Sequence, residues 1–471
     1  MSNTILNNVT KLDSTISEKL FPYQIDHALN LIHILKNNIN ALDTSDTGTG
    51  KTYTAIAVCS QLKMIPIIIC PKSVISSWKK VCAIFKLTPL MIVNYENIKN
   101  GKYYVNGVSQ KCPYIKIINN KSNGKVTTEY KWILNNKNII FIFDEVHRCF
   151  NLNTFNGKLL YYTKNEQKNM LLLSATIADN PEKFKLFFYI LNFIEPKNVI
   201  ENNISFNQYM NIMHRWLIRD SKPMIRIHNM LYPNRSSRMR IDVLGDLFPK
   251  TQIIAQPYTI EINRQKQIEK EYKNISLQME LLKKKNHSNK NMLSLLMRSH
   301  QKIELLKIPI FVELANDFIE NNISVVIFVN FTQTLLTLSK MLHTDCLIYG
   351  EQTLDTRDSN IDKFQTNKSK IIICNIKAGG IGISLDDQIG NHPRASLISP
   401  TWDAVVLIQA LGRIHRAGSK SKSLQRIIYT ANTVEEQIAE KLQKKLRDIN
   451  SLNNGDVDLT NITFEKERIK I

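Results

Sequence analysis

The run Ile139-Ile140-Phe141-Ile142-Phe143 carries no polar residue on either of the two faces a strand would present. Such a segment is stable only where both faces are covered, which is the interior of a parallel sheet. It is one of a series. Asn40–Thr44, Pro66–Cys70, Leu90–Val93 and Met170–Leu173 are further strand candidates, with helical patterns between them at Tyr53–Leu62 and Val74–Phe85. A second series follows at Val325–Val329, Cys346–Tyr349, Lys370–Cys374, Ala395–Ile398 and Gln425–Tyr429. Alternating strands and helices predict an α/β fold with a parallel sheet, here twice over. The turn signals Asn106-Gly107 and Asn123-Gly124 predict inserted hairpins within 101–137. From about 196 to 307 strand signals thin out. Arg264 to Lys307 is basic, with helical apolar spacing at Leu293, Leu296, Ile303 and Leu306, and Pro309 marks a break. The expected organisation is an N-terminal lobe over 1–195, a basic helical insertion over 196–307, a C-terminal lobe over 308–447 and a loose polar tail over 448–471, with an amphipathic helix at Val434–Leu446.

Charge bears on partners. The chain has 471 residues, and 62 Lys+Arg against 41 Asp+Glu leave a net +21. That excess points to a polyanion, nucleic acid before membrane. No apolar run approaches the ~18–20 residues a membrane helix needs, and the N-terminus lacks a basic segment leading into an apolar one. A soluble intracellular protein is expected. The cysteines (59, 70, 82, 112, 149, 346, 374) form no CxxC pair, which argues for reduced thiols over a zinc module or disulfide framework. His27, His33, His214, His287, His300, His343 and His392 have no ligand spacing.

Three motifs carry chemistry. Ser45-Asp46-Thr47-Gly48-Thr49-Gly50-Lys51-Thr52 lies between a strand and a helix. Gly48 and Gly50 let the backbone N–H groups of Thr47 to Gly50 wrap a phosphate at the helix N-terminus. Lys51 is placed to reach the β/γ-phosphates of ATP, and Thr52 to ligate Mg²⁺. Asp144-Glu145-Val146-His147 ends an apolar strand 93 residues beyond Lys51. Open α/β sheets bind ligands at that strand end. There Asp144 would hold Mg²⁺ through its water shell and Glu145 would orient and deprotonate an attacking water. Gln409, Arg413 and Arg416 share one face if residues 409–416 are helical. Two arginines aimed together suit the charge that develops on a transferring phosphoryl group, provided the two α/β units close on one nucleotide.

These motifs, in this order, resemble those of superfamily 2 helicases and translocases, and within them the SNF2-like, DExH-box group, over nearly all of residues 20–445. Phe21-Pro22-Tyr23-Gln24 is similar to the family's glutamine motif, which implies that Gln24 reads the adenine edge. Cys70-Pro71-Lys72-Ser73 with Trp78, Asn94-Tyr95-Glu96 and Ser174-Ala175-Thr176 resemble first-lobe motifs. Val326-Ile327-Phe328, Tyr349-Gly350 with Arg357 and Phe364, Lys377-Ala378-Gly379-Gly380-Ile381-Gly382, Trp402 and Thr433-Val434-Glu435-Glu436 follow the second-lobe pattern. Ser384 and Ser419 depart from it, and the Ser-Ala-Thr form is commoner in general superfamily 2 helicases. The resemblance implies two RecA-like lobes, a nucleotide contact by Gly380, and nucleic acid contacts by Lys72, Ser73, Thr176, Lys377 and Trp402. Trp78 is expected to pack in the core, with base stacking as its alternative. The Lys283–Lys285 run with Arg298 and Lys302 would either add a clamp or form a solvated face. His147 and His415 would bridge the lobes.

Three functions follow as expectations. The first is an ATP-driven translocase on DNA that remodels protein–DNA or transcription complexes. The second is a strand-separating DNA or RNA helicase of viral type. The third is a non-catalytic nucleic-acid scaffold, disfavoured because Lys51, Thr52, Asp144, Glu145, Arg413 and Arg416 are all present. DNA is favoured over RNA. Targeting is expected from partner proteins, and location in a nucleus or, for a viral protein, in host cytoplasm or virion.

Overall fold

The computed structural model describes residues 10–105, 107–122, 125–136, 138–193, 206–244, 248–284, 289–379, 382–401, 403–433, 435–455, 462–465 and 467–470. The chain divides into two compact units, residues 1–245 with 447–459 and residues 246–446 with 460–471.

The first unit is built on β1 (Asn40–Asp43), β2 (Ile65–Cys70), β3 (Met91–Asn94), β8 (Ile139–Asp144), β9 (Asn169–Leu173) and β10 (Ser236–Ser237). Their order is β10-β1-β9-β8-β2-β3 and every pairing is parallel. Alternate side chains leave the sheet on opposite faces, and the two faces have separate cores. Ile67, Ile69, Phe141, Phe143, Met170 and Leu172 enter one, with the helices Phe155–Lys164 and Lys185–Ile190. Ile68, Cys70, Ile140, Ile142, Leu171 and Leu173 enter the other, with Pro22–Asn38, Lys51–Gln61 and Ile75–Ile84. This two-sided burial is why the central strands β2, β8 and β9 are almost wholly apolar. Between β3 and β8 stand two antiparallel hairpins, β4 (Lys102–Val105) with β5 (Val108–Lys111), and β6 (Ile115–Ser122) with β7 (Lys125–Trp132).

The second unit has an all-parallel sheet of β11 (Thr251–Thr259), β12 (Ser324–Val329), β13 (Leu347–Ile348), β14 (Ile371–Asn375), β15 (Arg394–Ile398), β16 (Ser423–Thr430) and β17 (Ile462–Phe464). The order is β13-β14-β12-β15-β16-β11-β17, and β18 (Ile469–Lys470) also pairs with β11. The helices Ile308–Glu320 and Thr332–Met341 pack on it through Phe311, Ala315, Leu335 and Leu338.

Residues 196–307 do not form one helical block. Ser236–Ser237 joins the first sheet and Thr251–Thr259 the second, so the two units divide within this span. Both strands lack an apolar run: β10 is two serines, and β11 alternates and holds Pro257. Proline has no N–H to give a ladder, and β11 pairs with β17 only through Ala255 and with β18 only from Tyr258. The helices Ile262–Lys284 and Asn289–Leu306 follow, and the break expected at Pro309 falls at Lys307, with Pro309 in the first turn of the next helix. The C-terminal helix runs over Glu435–Asn454, and the tail beyond it is strand in part.

Candidate active site

The site of the first unit lies along the carboxyl ends of β1, β9 and β8, which are adjacent in the sheet. β1 delivers the phosphate loop and β8 the acid pair. β9, between them, delivers Ser174-Ala175-Thr176, and Ser174 N–H donates to the Asp43 carbonyl at 3.0 Å.

The loop turns through Gly48 (φ 84°) and Gly50 (φ 91°), conformations that side chains disfavour. A Cβ on Gly50 would also lie 2.1 Å from Nε2 of Gln24. Gln24 is buried, donates to the Thr49 carbonyl at 2.9 Å and accepts from Phe21 N–H at 2.9 Å. Its carboxamide therefore braces the loop. Lys51 Nζ donates to the carbonyls of Ser45 (2.8 Å) and Asp46 (3.0 Å). Burial lowers the basicity of this ammonium, while Asp43, Glu145, Asp144 and Asp46 oppose the change. Thr47 lies within the loop, and Thr52 sits in the first turn of the helix Lys51–Gln61.

A buried polar cluster supports the loop from below. His27 Nε2 is 3.1 Å from Asp43 Oδ2 and 3.2 Å from Ser45 Oγ, and His27 Nδ1 is 2.9 Å from Ser237 Oγ. Burial pushes the Asp43 carboxyl up, but His27, Lys51 and Ser45 together hold it below its usual range. Arg238 pairs with Asp46 and donates to the Thr44 carbonyl at 2.8 Å. The Met239 N–H donates to Ser45 Oγ at 2.9 Å.

The acid pair is also held by its surroundings. Trp78, fully buried, donates its indole N–H to Asp144 Oδ2 at 2.9 Å, and the Tyr95 hydroxyl donates to the Asp144 carbonyl at 2.7 Å. Burial, reinforced by Glu145, pushes the Asp144 carboxyl up to about 6. Glu145 adopts the left-handed conformation (φ 55°), a strained geometry that clusters at functional sites. His147 Nδ1 is 3.3 Å from Glu145 Oε2 and 3.0 Å from Ser174 Oγ. The positive-φ glycines leave the loop backbone open to an anion, and two desolvated carboxylates beside a hydroxyl-bearing helix start are hard oxygen donors of the kind that hold a divalent cation. The residues present thus fit ATP with Mg²⁺.

In the second unit, Gly379 packs where a Cβ would lie 2.6 Å from Cys374 Cβ, and Arg357 donates to the Ala378 carbonyl. Lys377 is exposed, its N–H donating to Asn375 Oδ1 at 3.2 Å. The helix that carries Gln409 ends at Leu411, so Arg413 and Arg416 do not share a helical face with it. Gly412 follows, and the chain turns there. The two guanidinium groups meet by another route: Arg413 Nη1 (3.1 Å) and Arg416 Nη2 (2.7 Å) both donate to the Ile383 carbonyl. Their Nε atoms donate to the carbonyls of Gln409 and Gly412, the acceptors a helix end leaves free.

Lys72 is exposed and Ser73 half-buried just beyond β2. Thr176 is buried, with its hydroxyl turned inward, so it presents no contact to a nucleic acid strand in this conformation. Trp78 is likewise enclosed, and stacking on a base is excluded for it here. His147 Nδ1 has a partner in Ser174 Oγ, within the first unit, and His415 Nε2 lies 2.8 Å from the Pro249 carbonyl, within the second. Gly380, Trp402 and Lys285 lie outside the described residues, as do the side chains of Lys283 and Lys284. Sequence reasoning missed the bracing roles of Trp78, Tyr95, His27 and Arg238. Trp78 and Tyr95 left a signal as members of first-lobe motifs and Arg238 in the basic run Arg235–Arg240, while His27 left none.

A phosphate loop and an acid pair at the ends of two parallel strands with one strand between them, and a second parallel-sheet unit in the same chain, define the class of P-loop ATPases. Comparison with known proteins narrows this. Residues 17–179 match the family described as "Type III restriction enzyme, res subunit", and residues 306–418 the "Helicase conserved C-terminal domain". A protein of Acanthamoeba polyphaga mimivirus, named "Putative ATP-dependent RNA helicase", is 40% identical over 95% of this chain and 86% of its own length. A chromodomain-helicase-DNA-binding protein 3 homolog of Caenorhabditis elegans is 24% identical over 91% of this chain. An ISWI chromatin-remodeling complex ATPase of Saccharomyces cerevisiae is 24% identical over 92%. The chain spans 26% and 40% of the length of the last two. The chain belongs to superfamily 2 of the helicases and translocases, enzymes that hydrolyse ATP and bind nucleic acid. No helix among the described residues is long and apolar enough to cross a membrane.

Proposed function

We propose that this chain is a motor that hydrolyses ATP to translocate along duplex DNA and so remodels protein–DNA or transcription complexes. The observation that carries the reading is the strand order β1-β9-β8, which sets the Lys51 loop, the Ser174 coupler and the Asp144–Glu145 pair side by side. The loop N–H groups and Lys51 hold the phosphates. Thr52 and Asp144 are the residues that would hold Mg²⁺, which when bound supplies positive charge to the phosphate oxygens. Glu145 orients the attacking water and accepts its proton as the bond to the γ-phosphorus forms and the bond to the leaving ADP oxygen breaks. Arg413 and Arg416, together with Gln409, are the residues proposed to meet the charge that develops on the phosphoryl group. Gln24 and Gly380 would contact the nucleotide base and sugar-phosphate. Glu145–His147–Ser174 is a path by which the state of the acid pair reaches the loop after β9. Lys72, Ser73, Lys377 and Trp402 grip the backbone without reading bases, and partner proteins supply targeting.

A second reading, strand separation on RNA, is favoured by the name of the mimivirus relative at 40% identity. ATP turnover measured with single- and double-stranded DNA and RNA at fixed salt tests both. Stimulation by duplex DNA, with displacement of a triplex strand and no parting of a fork, is the expected result. Stimulation by RNA with fork opening selects the second reading, and no stimulation by any nucleic acid refutes the motor.

A further inference from the structure

Residues 99–137 hold eight lysines and a single acid, Glu129, so 39 residues account for a third of the chain's net charge of +21. Each hairpin sets one pair of lysines directly opposite each other. Lys102 pairs with Lys111 across β4–β5, and Lys116 with Lys131 across β6–β7, and all four are exposed. Like charges facing each other across an antiparallel pair destabilise it. A surface that serves solubility alone intersperses both signs. Here none of the four has a carboxylate within ion-pair distance among the described residues, and Glu129 accepts a hydrogen bond from Asn120 at 3.1 Å.

The arm that carries them is firmly built. Cys112, Ile115, Tyr130 and Trp132 belong to the core of the first unit. The Trp132 indole donates to Thr163 Oγ1 at 2.9 Å, its N–H to Glu166 Oε1 at 3.1 Å, and the Tyr130 hydroxyl to the Lys99 carbonyl at 3.0 Å. The first hairpin reaches back to the strand ends. Asn97, just past β3, donates to Ser109 Oγ at 3.1 Å, and the last residue of β3, Asn94, lies opposite Cys70, the residue two before Lys72.

We propose that the outer face of these hairpins is a second nucleic-acid contact, in which Lys102, Lys111, Lys116 and Lys131 bind backbone phosphates and extend the track that begins at Lys72. Polyanion binding resolves the lysine conflict, since each opposed pair then shares a phosphate row. The proposal rests on the nucleic-acid-driven reading above and adds a site to it.

The test is fluorescence anisotropy with labelled duplex DNA and duplex RNA of one sequence, over a series of salt concentrations. Replacing all four residues (Lys102→Gln, Lys111→Gln, Lys116→Gln, Lys131→Gln) is expected to weaken binding at low salt by at least ~10-fold and to reduce the slope of log K against log[salt] by about 2–4. The same four changed to Arg are expected to keep both. Each pair replaced alone is expected to give about half of that reduction in slope. Removing opposed charges leaves the melting temperature equal to or above that of the wild type, which separates lost contacts from lost structure. Unchanged affinity and slope in the Gln variants, with a wild type that binds and is stimulated, overturns this proposal alone. Equal losses in the Arg and Gln variants also overturn it, because charge is then not the cause. A wild type that binds neither duplex and is not stimulated overturns the motor reading and this site together.

Discussion

Asp144→Asn is expected to make the nucleotide-free protein more stable while removing its activity. Asp144 is half-buried beside Glu145, and its carboxyl is pushed from the usual 3.8 to about 6, by burial first and then by Glu145. At 1.36 kcal/mol per pH unit the difference is about 3 kcal/mol, and partial exposure screens it to about 1–3 kcal/mol. The sign follows from proton linkage. Between the unfolded and folded values the folded state keeps a proton that the unfolded state releases, so stability falls as pH rises through about 4 to 6. The full cost is present above that window and absent below it. Asparagine cannot ionise and still offers Oδ1 to the Trp78 indole. Thermal unfolding without nucleotide or divalent ion is therefore expected to show the variant several degrees higher at pH 7.5, with the gap closing towards pH 4. Addition of Mg-ATP is expected to stabilise the wild type and not the variant. A variant no more stable than the wild type at pH 7.5, or a gap that persists on acidification, refutes the argument that the acid pair stands desolvated in wait of a cation.

Other outcomes are specific to single side chains. Glu145→Gln should stop turnover and spare ATP binding, measured by nucleotide titration beside single-turnover hydrolysis; a persisting rate places the base elsewhere. Arg416→Ala should slow hydrolysis by roughly 10³–10⁵ with ATP affinity changed only a few-fold, and an unaltered rate removes Arg416 from the phosphate. Trp78→Phe leaves Asp144 Oδ2 without its donor and should cost about 1–3 kcal/mol of stability by denaturant titration. Gly50→Ala should destabilise more than Gly107→Ala. Both glycines have positive φ, but only at Gly50 does the new Cβ strike a neighbour, Gln24, whereas nothing lies within 4 Å at Gly107. Equal losses would show that Gln24 does not brace the loop.

Much of the fold was legible because the strands of both sheets are covered on two faces and so are written as uninterrupted apolar runs. Every strand forecast from such a run is present, within a residue or two at its ends. β10 and β11 escaped for the opposite reason: a pair of serines and an alternating stretch with a proline carry no local signature, and only the neighbours β1 and β16 make strands of them. The arginine geometry shows the same limit. A helical face explained the spacing of 409, 413 and 416, but the helix stops at Leu411, and it is the Ile383 carbonyl, some thirty residues away in sequence, that gathers the two guanidinium groups.

The chemistry-bearing residues themselves were set by the chain alone, because a phosphate loop and an acidic strand end need particular side chains at short, fixed spacing. What tertiary structure decided is how they are held. Trp78 reaches Asp144 across 66 positions and Arg238 reaches Asp46 across 192. No local pattern encodes such contacts, since they exist only once parallel strands from distant parts of the chain lie side by side.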